Sequence, residues 1–176
     1  IELPDDRFYR IDTYNCYDNL GLFLDRPCIR CFNSTVTPSI LQFYPGVGVK
    51  RDVSSKPELE LYALRGLLSV EYLLMPAGSQ ADFLAEDAQT GFVFDGLTGD
   101  GVYARYRNEN AVPMGFTYDY YVLPDAVDKV SKEKRGSLYL RAIGLSEEQV
   151  AQSGQGLQPL PEARTGGFSY ESYVQD

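Results

Sequence analysis

Residues 55–76 read Ser-Lys-Pro-Glu-Leu-Glu-Leu-Tyr-Ala-Leu-Arg-Gly-Leu-Leu-Ser-Val-Glu-Tyr-Leu-Leu-Met-Pro, and two hydrophobic patterns follow one another within them. Leu59, Leu61, Tyr62, Leu64, Leu67 and Leu68 recur at helical spacing, behind Ser55 as a cap and Pro57 as a first-turn residue. Directly after them residues 70–75 form a short apolar run closed by Pro76, the pattern of a strand buried on most of its surface. A helix that hands over to a buried strand implies an α/β layer.

Upstream, residues 7–14 alternate bulky and polar side chains and read as a first strand. Residues 15–24 suit a loop or short helical turn. Thr37 can cap a helix that Pro38 starts and Pro45 with Gly46 stops, about two turns long. Downstream, residues 77–89 suit a loop or a short helix over 81–86. Residues 92–94 and 102–106 read as strands around the turn Asp95 to Gly101, and after a second turn at 108–113 residues 114–123 read as one more aromatic strand. Asp125 can cap a helix over 126–142 with Gly136 as its weak point, and Ser146 with Gln149 has the spacing of a capping box. The expected fold is α/β of the α+β kind, a mixed sheet of four to five strands with helices packed on it. Residues 1–151 would form a single domain, and Gly, Gln, Pro and Ser make 152–176 a poorly packed tail or linker.

The 176-residue chain is 44% hydrophobic and 23% charged, as in an ordinary globular domain. It contains no histidine, which excludes Ser-His-Asp and Cys-His catalysis and histidine-ligated metals. A net charge of -9 repels nucleic-acid phosphates. There is no apolar run of transmembrane length and no secretion leader. Beginning at Ile-Glu-Leu-Pro and ending at Tyr-Val-Gln-Asp, the chain reads as a mature or excised piece whose membrane segments would lie elsewhere.

Cys16, Cys28 and Cys31 are too few for a disulfide scaffold. Cys28 and Cys31 have C-x-x-C spacing but follow Pro27 in an extended stretch, and zinc would need more soft ligands, so small core residues are the default. Residues 95–101 lack the alternation and distal Glu of a calcium loop, and 45–50 lack the Lys-Ser/Thr ending of a phosphate loop. Asn33-Ser34-Thr35 is an N-glycosylation sequon. Asp12, Asp18, Asp95, Asp100 and Asp119 default to solvated surface groups, although two such acids facing each other would suit glycoside hydrolysis. Tyr14 and Tyr17, with Tyr118, Tyr120 and Tyr121, can stack on sugar rings while Asn15, Asp18 and Asp119 bond hydroxyls. Packing in a tryptophan-free sheet explains these rings equally well.

Six stretches in order resemble one family: residues 8–11 (FYRI), 29–35 (IRCFNST), 39–44 (SILQFY), 48–53 (GVKRDV), 68–74 (LSVEYLL) and 110–116 (NAVPMGF). Together they resemble the YfhO-type bacterial membrane proteins over about 8–118. Glu71 stands where that family usually has lysine, and Cys28 and Cys31 are not among its marks. The resemblance implies a multi-pass parent of GT-C-like architecture that adds sugars from a polyprenyl-phosphate donor to cell-envelope polymers such as lipoteichoic acid. This chain would be its extracytoplasmic domain, beside flanking membrane helices, with a cell-envelope glycopolymer or lipid-linked sugar as partner, no nucleic acid and no cofactor. The family's membrane-embedded acidic residues have no counterpart here, so no catalytic role carries over, and the Gly-Trp-rich outer segment that usually follows lies beyond this chain. Ser34, Arg51, Asp52 and Asn110 fall on the family pattern. Their plainer roles are a local Arg51–Asp52 ion pair and a turn at 110–113. The expected substrate-binding set is therefore Tyr14, Asn15, Asp18, Ser34, Arg51, Asp52, Asn110 and Asp119, with a pure protein-interaction domain and a secreted two-carboxylate hydrolase as alternatives.

Overall fold

The computed structural model describes residues 3–4, 7–86 and 91–175. The end of the loop read over 77–89 lies outside them. In chain order the first half contains β1 (Arg10–Thr13), α1 (Leu20–Phe23), β2 (Cys31–Phe32), α2 (Pro38–Gly46), β3 (Ser54–Ser55), α3 (Tyr62–Leu67) and β4 (Val70–Pro76). The second half contains α4 (Gln80–Ala85), β5 (Phe92–Leu97), β6 (Tyr103–Asn108), β7 (Tyr120–Val122), α5 (Pro124–Asp128), α6 (Arg135–Arg141), β8 (Ile143–Gly144), α7 (Glu147–Ser153), β9 (Gln158–Pro159) and α8 (Tyr170–Gln175).

The architecture is mixed α/β, built on a four-stranded sheet of order β1-β4-β6-β5 with helices around it. The apolar run at 70–75 is the sheet's central strand, parallel to β1 (Ile11 opposite Tyr72) and antiparallel to β6 (Leu73 opposite Tyr106). Its alternation sorts two faces. Leu73 and Met75 pack with Phe83, Ala104 and Tyr106 under α4, whereas Tyr72 and Leu74 pack with Tyr9 and Ile11. The hairpin β5–β6 closes as expected, with Asp100 accepting from the Thr98 hydroxyl and the Val102 amide. The helix at 38–46 has Pro38 in its first turn and Thr37 at the N-cap position, though the Thr37 hydroxyl lies on Ser39 Oγ and makes no cap bond; the Ser146–Gln149 capping box is complete.

Several readings need correction. The helix drawn from 57 to 68 begins only at Tyr62, because the Pro57, Glu58 and Leu59 carbonyls accept bonds from the Arg30 and Arg65 guanidinium groups and hold that segment out of the helix. Ser55 does not cap it. It is buried in β3 opposite Cys31. The helix drawn over 126–142 is two helices, α5 and α6, separated by Ser131 in an extended conformation and a 3-10 turn at Lys132–Lys134. Gly136 is the contact point of the second rather than a weakness: a Cβ there would stand 3.1 Å from the Leu64 backbone nitrogen, so glycine lets α6 lie on α3.

The strand drawn over 114–123 shrinks to β7 and belongs to a separate three-stranded sheet, β8-β7-β9, since Gly115 turns the chain at a φ of 84°. Residues 152–176, read as a poorly packed tail, supply β9, the buried Leu160 and α8 with the buried Tyr173. Arg141 ties this stretch down through the carbonyls of Arg164 and Gly166. No helix among the described residues is long and apolar enough to cross a membrane.

Candidate functional site

The site that the fold builds is a cleft of about 300 Å³ bounded by residues 7–9, Ser69, Glu71 and 111–114. Ser69 lies between α3 and β4, and it makes that tight turn at a φ of 56°, in the left-handed region that a serine seldom enters. Arg10 clamps it. The Arg10 amide donates to the Ser69 carbonyl at 2.9 Å, and Arg10 Nη1 donates to the Leu68 carbonyl at 2.9 Å and reaches Met114 Sδ at 3.6 Å. Ser69 is 4% exposed and lines the cleft.

Glu71, on the next outward position of β4, is gripped by Arg7, with Nη2 2.6 Å from Oε1 and Nε 3.2 Å from Oε2. The Phe8 ring is 53% exposed and the Arg10 guanidinium stands 5.5 Å from its centroid. Tyr9 forms the floor, its hydroxyl donating to the Pro4 carbonyl, and burial pushes its phenol pKa up. The opposite wall is set by Asn110: its side chain donates to the Tyr170 hydroxyl at 3.0 Å and its carbonyl accepts from Tyr173 at 2.8 Å, so α8 holds the loop in place. The cleft thus joins a carboxylate–guanidinium pair, a hydroxyl, an aromatic face and a thioether.

The residues expected to bind substrate lie in several places. Asn110 positions the cleft wall. Tyr14 packs edge-on against Phe83 and donates to Glu86 at 3.3 Å, Asn15 is exposed at a φ of 51°, and Asp18 is exposed and paired with Lys56 at 3.0 Å. Ser34, Arg51 and Asp52 come together around β2 and β3: Arg51 donates to the Asn33 carbonyl at 2.5 Å. Arg51 does not pair with Asp52, which instead pairs with Lys50 at 3.7 Å and accepts from the Ser54 amide, a bond that lowers its pKa. Asp119 is an exposed residue whose carbonyl accepts from Gln158 in β9. Tyr14 and Tyr17 follow the four-stranded sheet while Tyr120 and Tyr121 lie in the three-stranded one, so the tyrosines make no single platform.

Asp12 was expected at the surface and is fully buried. Arg65 Nε and Nη2 bond its Oδ2, Arg30 Nε bonds its Oδ1 at 2.6 Å, and the Thr13 amide adds a fourth bond. With both oxygens engaged and no access to solvent, Asp12 cannot be one of two hydrolytic carboxylates. The signal that could have found it was Arg65 inside an apolar helix, a cation that needs a buried carboxylate partner.

A second cleft of about 480 Å³ lies between α1 and β2, among Leu22, Arg26, Cys28, Cys31 and Phe32. The three cysteines are free thiols, and burial raises Cys28 to about 12 and Cys16 to about 11, far from a reactive thiolate. No group of three or more Cys, Asp or Glu residues among the described residues is placed to hold a metal ion. The chain matches no known family, no curated protein and no solved structure.

Proposed function

We propose that this chain is the extracytoplasmic domain of a multi-pass bacterial membrane protein of the YfhO type, and that it binds or orients the acceptor in glycosylation of a cell-envelope polymer such as lipoteichoic acid. The observation that carries the reading is convergence. Of the six stretches that bear the resemblance, three (8–11, 68–74 and 110–116) supply nearly the whole lining of one cleft, although Arg10 is 58 positions from Leu68 and 104 from Met114. A core needs apolar side chains, yet these stretches bring an exposed Phe8, the Glu71 carboxylate and Ser69 to a concave surface. Sugar transfer itself would belong to the parent's membrane part, with the lipid-linked donor reaching it beside the flanking helices.

The test is the full-length gene product. Its sequence should carry hydrophobic spans around residues 1–176, and in intact cells protease added outside should cleave this domain. A product without spans, or a domain shielded until the cells are lysed, overturns the assignment.

A second reading, a pure interaction domain for a partner protein, draws on Leu22 and Phe23, which are 79% and 76% exposed at the tip of α1. Crosslinks from that tip to another protein, with none from the cleft to glycan, would favour it.

A further inference from the structure

We infer that the cleft over Ser69 is a binding site for one neutral pyranose ring. The inference rests on the proposed function only for the natural source of the sugar. The cleft's volume of about 300 Å³ lies at the small end of ligand sites and suits a single ring. Ser69 is 4% exposed and lines this space, and no side-chain bond of its hydroxyl to another described residue competes with a ligand for it. A ligand hydroxyl would bond it.

Charge decides the ligand class. Arg7 and Glu71 already neutralise each other through two contacts and the Arg10 guanidinium is engaged by the Leu68 carbonyl and the Phe8 ring, so a phosphate or an ammonium ion would have to break one of these to gain. Their edge still presents donors and acceptors side by side, and a sugar hydroxyl both donates and accepts. Phe8 adds the stacking surface: Arg10 lies over its ring, yet the side chain remains 53% exposed, and Met114, which lines the same cleft, is 55% exposed. Ser69 and Glu71 would read ring hydroxyls and Phe8 the apolar C–H face, while Asn110 acts only as a positioning residue through its grip on α8.

The test is titration of the isotopically labelled 176-residue chain with methyl α-glucopyranoside, methyl α-galactopyranoside and N-acetylglucosamine, with sodium phosphate as the charged probe, following amide shifts. Millimolar sugar should move the amides of Phe8, Ser69, Glu71 and Met114, and added sodium chloride should leave the affinity unchanged. Ser69→Gly should weaken binding about three- to tenfold, as loss of one hydrogen bond does. Glycine suits the positive φ, so its unfolding midpoint should not fall and the weakening is a binding effect. Phe8→Ala should weaken binding by at least about threefold. Absence of shifts at the cleft with every sugar, shifts with phosphate instead, or unchanged affinity in both variants overturns the site. Sugar binding by a chain whose gene encodes no flanking spans would overturn the membrane assignment alone; a membrane parent whose domain shows no such shifts would overturn the sugar site alone.

Discussion

Arg65 and Asp12 meet at 2.8 Å with side chains 1% and 0% exposed, joining α3 to the edge strand β1 across 53 positions of sequence. The pair is fully bonded, since Arg65 also reaches the carbonyls of Pro57, Glu58 and Leu59. Two ions taken out of water gain little over well-packed apolar residues, but removal of one leaves the other buried and uncompensated. Asp12→Ala should therefore lower stability by about 3 to 5 kcal/mol. Urea denaturation measures it, and a loss under about 1 kcal/mol would show that the arginines find water in the fold.

The tail makes the next prediction. Gly66 has room for no side chain, because a Cβ there would collide with the Tyr173 hydroxyl and stand 3.1 Å from the Asn110 carbonyl. Helix propensity alone would favour Gly66→Ala by about 1 kcal/mol. The collision should reverse the sign and displace Tyr173, costing about 1 to 3 kcal/mol. The amides of Asn110 and Met114 should shift along with those of α8, because the same tyrosine holds the cleft wall.

How much of this was legible follows from where each signal resides. β4 was plain because its apolar run is continuous and both faces are covered, and the turn at Asp100 was plain because its chemistry is local. The segment at 57–61 was not, because the bonds that keep it from being helical come from Arg30 and Arg65, the first from another part of the chain. Nor was the packing of residues 158–175, where two buried side chains, Leu160 and Tyr173, and the carbonyls that bind Arg141 outweigh a composition that reads as linker. The cleft was half legible. Its three stretches stood out by resemblance, and Asn110 was singled out, but Ser69 and Glu71 converge with Arg7 only through the parallel pairing of β1 with β4, which periodicity does not encode.

Local capping gives a clean control. Ser146 and Gln149 bond reciprocally, the Gln149 amide to Ser146 Oγ at 3.2 Å and the Ser146 amide to Gln149 Oε1 at 2.8 Å. Ser146→Ala should cost about 1 kcal/mol and fray α7 without altering the cleft. Thermal unfolding reads the first and the amide spectrum the second. Shifts at Ser69 or Met114 in this variant would reveal a coupling between α7 and the cleft that no contact in the fold provides.

The alkaline limb of stability carries the last prediction. Burial raises Cys16 to about 11 and Cys28 to about 12 from an ordinary value of 9.0, and burial also raises Tyr44 and Tyr173. In each case the folded chain favours the protonated, neutral group, so the unfolded chain loses its proton first. The stabilisation is complete below the unfolded thiol value and is lost as pH rises toward the folded one. The unfolding free energy from urea denaturation should be flat from about pH 7 to 8 and fall above about pH 9, by about 3 to 5 kcal/mol at pH 11. Cys28→Ala should lower stability at neutral pH through lost packing yet show a shallower alkaline decline, because its thiol is the more strongly raised of the two. The same burial makes Cys28 react slowly with a disulfide reagent at pH 8 until urea exposes it. A midpoint that holds to pH 11, or a Cys28 thiol that reacts in the folded chain as fast as in urea, would show that it is not desolvated against Ile11 and Leu24.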